Sequence, residues 1–224
     1  MESVYAFIQA RMSSSRFPGK SLAPFRGRPI LKWVAEAACA AVPAECVVVA
    51  TSDEASDDPL AEYARNGCGL AVFRGSRLNV LQRFQQASRQ YPSRWILRVN
   101  GDSPMLNPAV LQAVLAHQDR EDLDLVTTIF PRTFPRGQNA ELIRADALRQ
   151  LDAASLSAEE TGHVTGAFYA DPDHYRILNV ESSDSRLAMM SFAVDTVEDL
   201  QRLETVTQKE EGPFLFRPFV PARA

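Results

Sequence analysis

Three cationic side chains and three hydroxyls lie close together near the start of the chain, directly after an apolar run. The cations are Arg11, Arg16 and Lys20, and three serines occupy positions 13–15 between the first two. Arginine grips phosphate oxygens with a planar fork and lysine adds a point charge, so these residues suit a polyanion such as a nucleoside triphosphate. A solvated basic loop that binds no ligand is the alternative.

The segment Gly19-Lys20-Ser21 matches the end of a P-loop, the phosphate-binding motif of many nucleotide hydrolases and kinases. The complete motif requires glycine at position 14, where this chain has Ser14. Pro18 also removes a backbone amide that a phosphate cradle would use. The sequence therefore disfavours a P-loop kinase or ATPase.

Two carboxylates follow apolar runs elsewhere in the chain. Asp102 stands in a turn after residues 95–99, and Asp195 stands between residues 189–194 and a predicted helix. Magnesium in proteins binds one or two carboxylates together with substrate phosphates, so both residues are candidate metal ligands. Each has a structural alternative: Asp102 can shape its own turn, and Asp195 can cap the helix with Glu198 as its capping-box partner.

Strand-like apolar runs alternate with helical patterns through the first part of the chain. Strands are predicted over residues 4–8, 46–50, 70–73, 95–99 and 123–128, and helices over 29–39, 59–65, 77–89 and 107–117. This alternation predicts an α/β fold with a doubly wound, mostly parallel sheet. Open sheets of this kind bind ligands at the carboxyl ends of their strands, where the cationic loop and Asp102 are expected.

The character of the sequence changes after the fifth predicted strand. Residues 130–145, rich in proline at their start, predict a small excursion from the sheet. Helices are then predicted over 144–151, 158–169 and 197–206, strands over 175–180 and 189–194, and an irregular tail over 208–224. No linker divides the chain, so we predict a single domain over residues 1–224.

Composition limits the classes of function. The chain has 224 residues, 46% of them hydrophobic, and a formal net charge of -4, which argues against a nucleic-acid-binding surface. No apolar run approaches the roughly 20 residues of a membrane span, and residues 1–10 lack the pattern of a secretory signal. We therefore expect a cytoplasmic protein with no membrane partner. Cys39, Cys46 and Cys68 match no metal-binding spacing and are expected to be small buried thiols.

Residues 8–22 resemble the opening signature of the sugar cytidylyltransferases, which include the acylneuraminate and ketodeoxyoctulosonate enzymes. The closest resemblance is to the branch named for spore-coat polysaccharide biosynthesis. Further stretches similar to this branch follow in family order at residues 49–52, 73–76, 80–84, 98–104, 162–165 and 194–200. The resemblance implies a Rossmann-like three-layer α/β/α fold of the nucleotide-diphospho-sugar transferase type.

The resemblance also implies a reaction. It is the transfer of CMP from CTP to a sugar or sugar-acid acceptor, with release of pyrophosphate and a requirement for Mg²⁺. Such an enzyme supplies activated sugars for surface polysaccharides, and members of the family tend to pair as homodimers through the excursion. A non-catalytic module that binds a nucleotide or nucleotide sugar is the alternative that the residues leave open.

Carried over residue by residue, the resemblance implies roles for individual side chains. The catalytic set is Arg16, Lys20 and Asp102, and the metal is held by Asp102 and Asp195. The nucleotide-binding set is Ala10, Arg11, Met12, Ser15, Arg16, Lys20, Ala50, Thr51, Ser52, Arg74 and Ser76. The acceptor-binding set is Arg83, Gln138, Glu141 and His163.

Three positions depart from the pattern of this branch. Asn79 stands where aspartate is usual, residues 138–141 replace a Leu-Asp-x-Glu stretch, and Gly162 stands where glutamate is usual. The lost carboxylates lie around the predicted acceptor region. These departures therefore affect the identity of the acceptor more than the expectation that the chain binds a nucleotide.

Overall fold

A seven-stranded sheet forms the centre of the protein. The computed structural model describes residues 2–153, 156–157 and 161–207. The strands of the sheet are β1 Glu2–Gln9, β4 Val47–Ser52, β5 Ala71–Gly75, β6 Ser93–Asn100, β7 Leu125–Thr127, β8 Glu141–Arg144 and β9 Ile177–Asn179. Their order across the sheet is β5-β4-β1-β6-β8-β7-β9, and a separate hairpin pairs β2 (Pro24–Phe25) with β3 (Arg28–Pro29).

The sheet is mostly parallel, as predicted. β1 lies between β4 and β6 and runs parallel to both, and β5 extends the parallel part beyond β4. β8 runs antiparallel between β6 and β7, while β9 is parallel to β7. All six residues of β4 are buried, which accounts for the nearly continuous apolar sequence of that strand.

Helices cover both faces of the sheet and complete a three-layer α/β/α arrangement. They are α1 Ile30–Cys39, α2 Asp58–Asn66, α3 Val80–Gln90, α4 Pro108–Leu115, α5 Ala145–Gln150, α6 Gly166–Ala170 and α7 Val197–Thr207. One core contains buried residues of α1, α2, α4 and α7, and the other contains residues of α3, α5 and α6. Ile8 and Phe7 of β1 point into different cores, because successive side chains of a strand face opposite sides of the sheet.

Side-chain caps determine where two helices begin. The Asn79 side chain accepts a hydrogen bond from the Gln82 amide at 2.8 Å, so α3 starts after Asn79 rather than at the predicted residue 77. α4 begins as predicted, with Asn107 as its cap and Pro108 in the first turn.

The excursion and the segment that packs against it differ most from the predicted elements. β8 was not predicted, and its pairing with β6 places Glu141 opposite Arg98. The strand predicted over residues 189–194 is wrong, because a 3-10 helix at Ser185–Met189 precedes this segment and the bridge between Ser191 and Arg136 is isolated.

Two predicted segments lie partly or wholly outside the described residues. The first is the helix predicted over 158–169: residues 158–160 are not described, and α6 is the part of it that the structure describes as a helix element. The second is the tail over 208–224. Across the described part of the chain, no helix combines the length and the apolar character needed to cross a bilayer.

Only one of the three cysteines is fully buried. Cys46 lies in the core, whereas Cys39 and Cys68 are partly exposed, contrary to the expectation for all three. Burial is the main reason that the pKa of each partly exposed thiol is raised, which keeps both in the unreactive protonated form near neutral pH.

Candidate active site

The cationic loop follows β1 and folds back before it reaches Lys20. Gly19 has a left-handed backbone with a φ of 78°, and its amide donates to the Met12 carbonyl at 2.8 Å. The Met12 amide donates in turn to Asp57 Oδ1 at 2.6 Å. Asp57 is fully buried and also accepts from the Ser52 amide at 3.1 Å. One buried carboxylate therefore ties the loop to the end of β4.

Lys20 is the meeting point of the two predicted metal ligands. Its Nζ donates to Asp102 Oδ2 at 2.8 Å, to Asp195 Oδ1 at 2.9 Å and to the Val194 carbonyl at 3.0 Å. Burial acts to lower the pKa of Lys20, but the two carboxylates outweigh it, so this pKa is raised and the ammonium stays charged. The structure thus brings together three predicted site residues that are far apart in the sequence.

Asp195 also pairs with a second cation of the loop, because its Oδ2 lies 3.0 Å from an Arg16 guanidinium nitrogen. The alternative role of Asp195 as the cap of α7 with Glu198 is wrong. Asp199 Oδ2 accepts from the amides of Asp195 and Thr196 at 3.1 and 3.0 Å, and the Asp199 amide donates to Thr196 Oγ1 at 3.2 Å. Because that pair caps the helix, both carboxylate oxygens of Asp195 face the cationic loop.

Asp102 stands on a turn that presses against the end of β1. The Gly101 amide donates to the Gln9 carbonyl at 2.9 Å. A methyl group added at Gly101 would lie 2.7 Å from the Ala10 Cβ and 3.0 Å from the Gln9 carbonyl oxygen. The lack of a side chain at Gly101 therefore allows the close approach that brings Asp102 to Lys20.

We expect Gly101→Ala to lower turnover by about tenfold to a hundredfold, because displacing a reacting group by even a fraction of an ångström is costly. The added methyl cannot be accommodated without moving the turn that carries Asp102. Steady-state kinetics test this. Gly67→Ala is the comparison, because its added methyl would also be crowded, 2.5 Å from the Tyr63 ring, but Gly67 lines neither this site nor the cavities beside it. A loss at Gly67 equal to that of Gly101→Ala would show that crowding alone, and not the position of Asp102, lowers turnover.

A cavity of about 380 Å³ opens beside these residues at the carboxyl ends of β1 and β6. The exposed Arg11, Ser15 and Arg16 line it together with Asp102. The predicted site residues on its wall are Ala10, Arg11, Ser15, Arg16, Lys20, Asp102, Asp195 and His163.

The remaining predicted nucleotide-binding residues do not line this cavity; they are Met12, residues 50–52, Arg74 and Ser76. Residues 50–52 are fully buried at the end of β4. Arg74 donates to the carbonyls of Ser52 and Glu54 at 2.9 and 2.7 Å, and the Ser76 hydroxyl accepts from the Asn79 amide at 3.0 Å. The contacts of Arg74 therefore join the carboxyl ends of β4 and β5.

A second cavity, of about 580 Å³, adjoins the first and shares Arg98, Asn100 and His163 with it. Arg98 has a side chain only 11% exposed, pairs with Glu141 and donates from Nε to Gln9 Oε1 at 3.0 Å. A fixed guanidinium therefore stands at the junction of the two cavities, a role that the sequence pattern around Arg98 did not indicate.

Glu141 holds three side chains that line the second cavity. Its side chain is 1% exposed and accepts hydrogen bonds from Arg98, from Thr165 Oγ1 at 2.8 Å and from the Tyr169 hydroxyl at 2.5 Å. Burial, followed by the charge of Glu141, raises the pKa of Tyr169, so its hydroxyl remains a proton donor. The Tyr169 ring stacks on Phe130 of the excursion with 4.9 Å between centroids.

A sequence model of the cytidylyltransferase family matches residues 5–217, almost the whole chain. The chain belongs to the cytidylyltransferase family. It is 31% identical over 219 residues to the spore coat polysaccharide biosynthesis protein SpsF of Bacillus subtilis, covering 93% of this chain and 88% of that protein. It is 27% identical over 213 residues to 3-deoxy-manno-octulosonate cytidylyltransferase 2 of Hydrogenovibrio crunogenus, covering 93% and 86%.

A solved structure supports the same assignment. The cytidylyltransferase of Leptospira borgpetersenii superposes with a TM-score of 0.89 at 28% sequence identity, covering 96% of this chain and 90% of that one. The family and the fold implied by the sequence resemblance are therefore both confirmed.

Two of the four predicted acceptor-binding residues of this cytidylyltransferase reach the second cavity or organise it. His163 is exposed and lies on the wall of both cavities. Glu141 does not line the second cavity but accepts hydrogen bonds from Thr165 and Tyr169, which do. Gln138 differs from the prediction, because it is fully buried, donates to the Met105 carbonyl at 2.7 Å and accepts from the Asn107 amide at 2.9 Å. Its amide braces the start of α4 and is not available to an acceptor.

Arg83 also differs from the predicted acceptor contact. It is fully buried in α3, its NH1 donates to the Ser76 carbonyl at 3.2 Å, and its Nε has no hydrogen-bond partner among the described residues. Burial and then the nearby charge of Arg11 lower the pKa of Arg83 to about 10, which still leaves it charged at neutral pH. Arg83 lines neither cavity.

The donor set of this cytidylyltransferase fits a hard divalent cation. Oxygens of Asp102 and Asp195 lie within 2.9 Å of one nitrogen, so both carboxylates can reach the same small ion. The described residues contain no cluster of three or more histidine, cysteine or acidic side chains that could hold a metal. Two carboxylates with phosphate oxygens and water completing the shell are what Mg²⁺ takes in proteins.

Proposed function

We propose that this cytidylyltransferase transfers CMP from CTP to a sugar or sugar-acid acceptor and releases pyrophosphate. The observation that carries the proposal is the convergence of Lys20, Asp102 and Asp195 beside the cationic loop. The names of the two relatives support an acceptor from polysaccharide or sugar-acid biosynthesis.

The cationic loop is suited to hold and activate the triphosphate. Attack on the α-phosphorus breaks its bond to the bridging oxygen and leaves negative charge on the departing pyrophosphate. Arg11 and Arg16 are exposed on the cavity wall, where they can bind phosphate oxygens, and Lys20 is close enough to neutralise the developing charge. These residues position the nucleotide and stabilise the leaving group.

Asp102 and Asp195 would hold Mg²⁺ in this proposal. When bound, the ion neutralises phosphate charge and polarises oxygens next to it. A metal site also needs ligands held in a fixed geometry. The close turn at Gly101 fixes the position of Asp102, and the cap of α7 fixes that of Asp195.

The second cavity is the proposed acceptor site. It shares Arg98, Asn100 and His163 with the first cavity, so an acceptor bound there would adjoin a nucleotide bound in the first cavity. Glu141 is buried and occupied by three donors, which disfavours it as a general base. The exposed His163 is the side chain best placed to accept a proton from the acceptor hydroxyl.

A pyrophosphate-release assay tests the proposal. The protein is incubated with Mg²⁺, each of the four nucleoside triphosphates, and a panel of sugar acids and sugar phosphates. Pyrophosphate release with CTP that depends on an acceptor is the expected result. Phosphate release from ATP would instead indicate a kinase or ATPase, and nucleotide binding without turnover a binding module.

Two further expectations accompany this function. A CTP-consuming enzyme of nucleotide-sugar synthesis would work in the cytoplasm, where its nucleotide substrate is made. We also propose that two copies pair through the excursion, in which Phe130 exposes an apolar side chain. Met190, whose carbonyl accepts from the Arg136 amide of the excursion, exposes a second one.

A further inference from the structure

The three donors of the Lys20 ammonium are all in use. Two go to the carboxylates of Asp102 and Asp195, and the third goes to the Val194 carbonyl. An ammonium group has only three N–H bonds, so Lys20 in this position has none left for a phosphate oxygen. To bind the triphosphate, Lys20 must give up at least one of these partners.

Lys20 holds the two carboxylate oxygens that face one point between Asp102 and Asp195. The second oxygen of each carboxylate is also occupied, by Ser103 Oγ at 3.1 Å and by Arg16 at 3.0 Å. A Mg²⁺ ion lies 2.0–2.1 Å from its ligands in proteins and tolerates little distortion. An ammonium 2.8 and 2.9 Å from the same two oxygens would both block and repel the ion. Lys20 and the divalent cation therefore compete for one place.

We propose that Lys20 occupies the place of the divalent cation until the phosphates of a nucleotide draw its ammonium away. The inference rests on the proposed function and adds a binding order to it: the cation enters the site with the nucleotide or after it. The lysine stem is flexible enough to exchange the carboxylates for phosphates on the same cavity wall. Because coupling between ligands is reciprocal, the nucleotide and the cation each strengthen the binding of the other.

The test is Mn²⁺ binding to the protein without nucleotide, measured from the electron paramagnetic resonance signal of the free ion. We expect Lys20→Met to bind Mn²⁺ at least about tenfold more tightly than the wild type. A neighbouring cation weakens proton binding to a carboxylate by about one to three powers of ten, and the same repulsion acts on a divalent ion. Lys20→Arg keeps the charge and should show no gain. Arg16→Met should gain less than Lys20→Met, because Arg16 contacts Asp195 alone and its side chain is 64% exposed.

Equal or weaker Mn²⁺ binding by Lys20→Met would overturn the proposal. Thermal unfolding checks that the variant is folded, and Lys20→Gln provides a second neutral variant if it is not. The double variant Lys20→Met with Asp102→Asn should lose the gain, and its retention would place the bound ion elsewhere and overturn the proposal too. Pyrophosphate release by the wild type is measured separately, so failure of the binding order and failure of the proposed function give different results.

Discussion

Replacing Asp102 with asparagine should lower turnover at least about a hundredfold, the usual cost of removing one preorganised group that stabilises charge in the transition state. The substitution keeps the size of the side chain but removes the charge facing Lys20 at 2.8 Å. Asparagine is also a weaker ligand for a hard divalent cation. The loss should appear mainly in kcat, measured by pyrophosphate release at saturating CTP.

Asp173→Asn is the matched control for this prediction. Asp173 is exposed on a turn and lines neither cavity, so the same chemical change there should leave turnover within about twofold of the wild type. Near-normal turnover of Asp102→Asn would remove Asp102 from the reaction and with it the proposed metal site.

Glu141→Ala should destabilise the protein by about 3–5 kcal/mol, the cost of removing one partner of a buried ion pair. The side chains of Glu141 and Arg98 are only 1% and 11% exposed, so the variant leaves a guanidinium charge with little access to water. Thr165 and Tyr169 each lose a hydrogen-bond acceptor as well. The free energy of unfolding, obtained from urea denaturation, measures the effect.

An exposed pair supplies the control. Glu121 pairs with Arg94 at 3.2 Å with side chains 85% and 37% exposed, so Glu121→Ala should cost no more than about 1 kcal/mol. If Glu141→Ala cost as little, the network around Glu141 would not be the stabilising feature that its burial indicates.

The parallel half of the sheet could be predicted because its strands are continuous apolar runs separated by helical patterns. β8 could not, since it is four residues long and its first residue is a glutamate. A buried carboxylate in a strand is tolerated here only because Arg98, Thr165 and Tyr169 surround it. Those partners come from other parts of the chain, and a local pattern carries no information about them.

The site could be predicted in part for the same reason. The rule that ligands bind at the carboxyl ends of strands placed the cationic loop and Asp102 together. The part played by Asp57 was missed, because an aspartate just before a helix is ordinary in sequence. Its significance comes from a bond to Met12, 45 positions away. The role of Gln138 was predicted wrongly, because the hydrogen bonds of its amide oxygen and amide nitrogen depend on how the excursion packs against α4.

A crystal structure with CTP and Mn²⁺, recorded at the manganese absorption edge, would show whether Asp102 and Asp195 hold the metal beside the nucleotide. We predict an anomalous peak between the carboxylates of Asp102 and Asp195, with the Lys20 ammonium moved onto the phosphates. A manganese peak bound by neither carboxylate, with the triphosphate away from the cationic loop, would contradict the account.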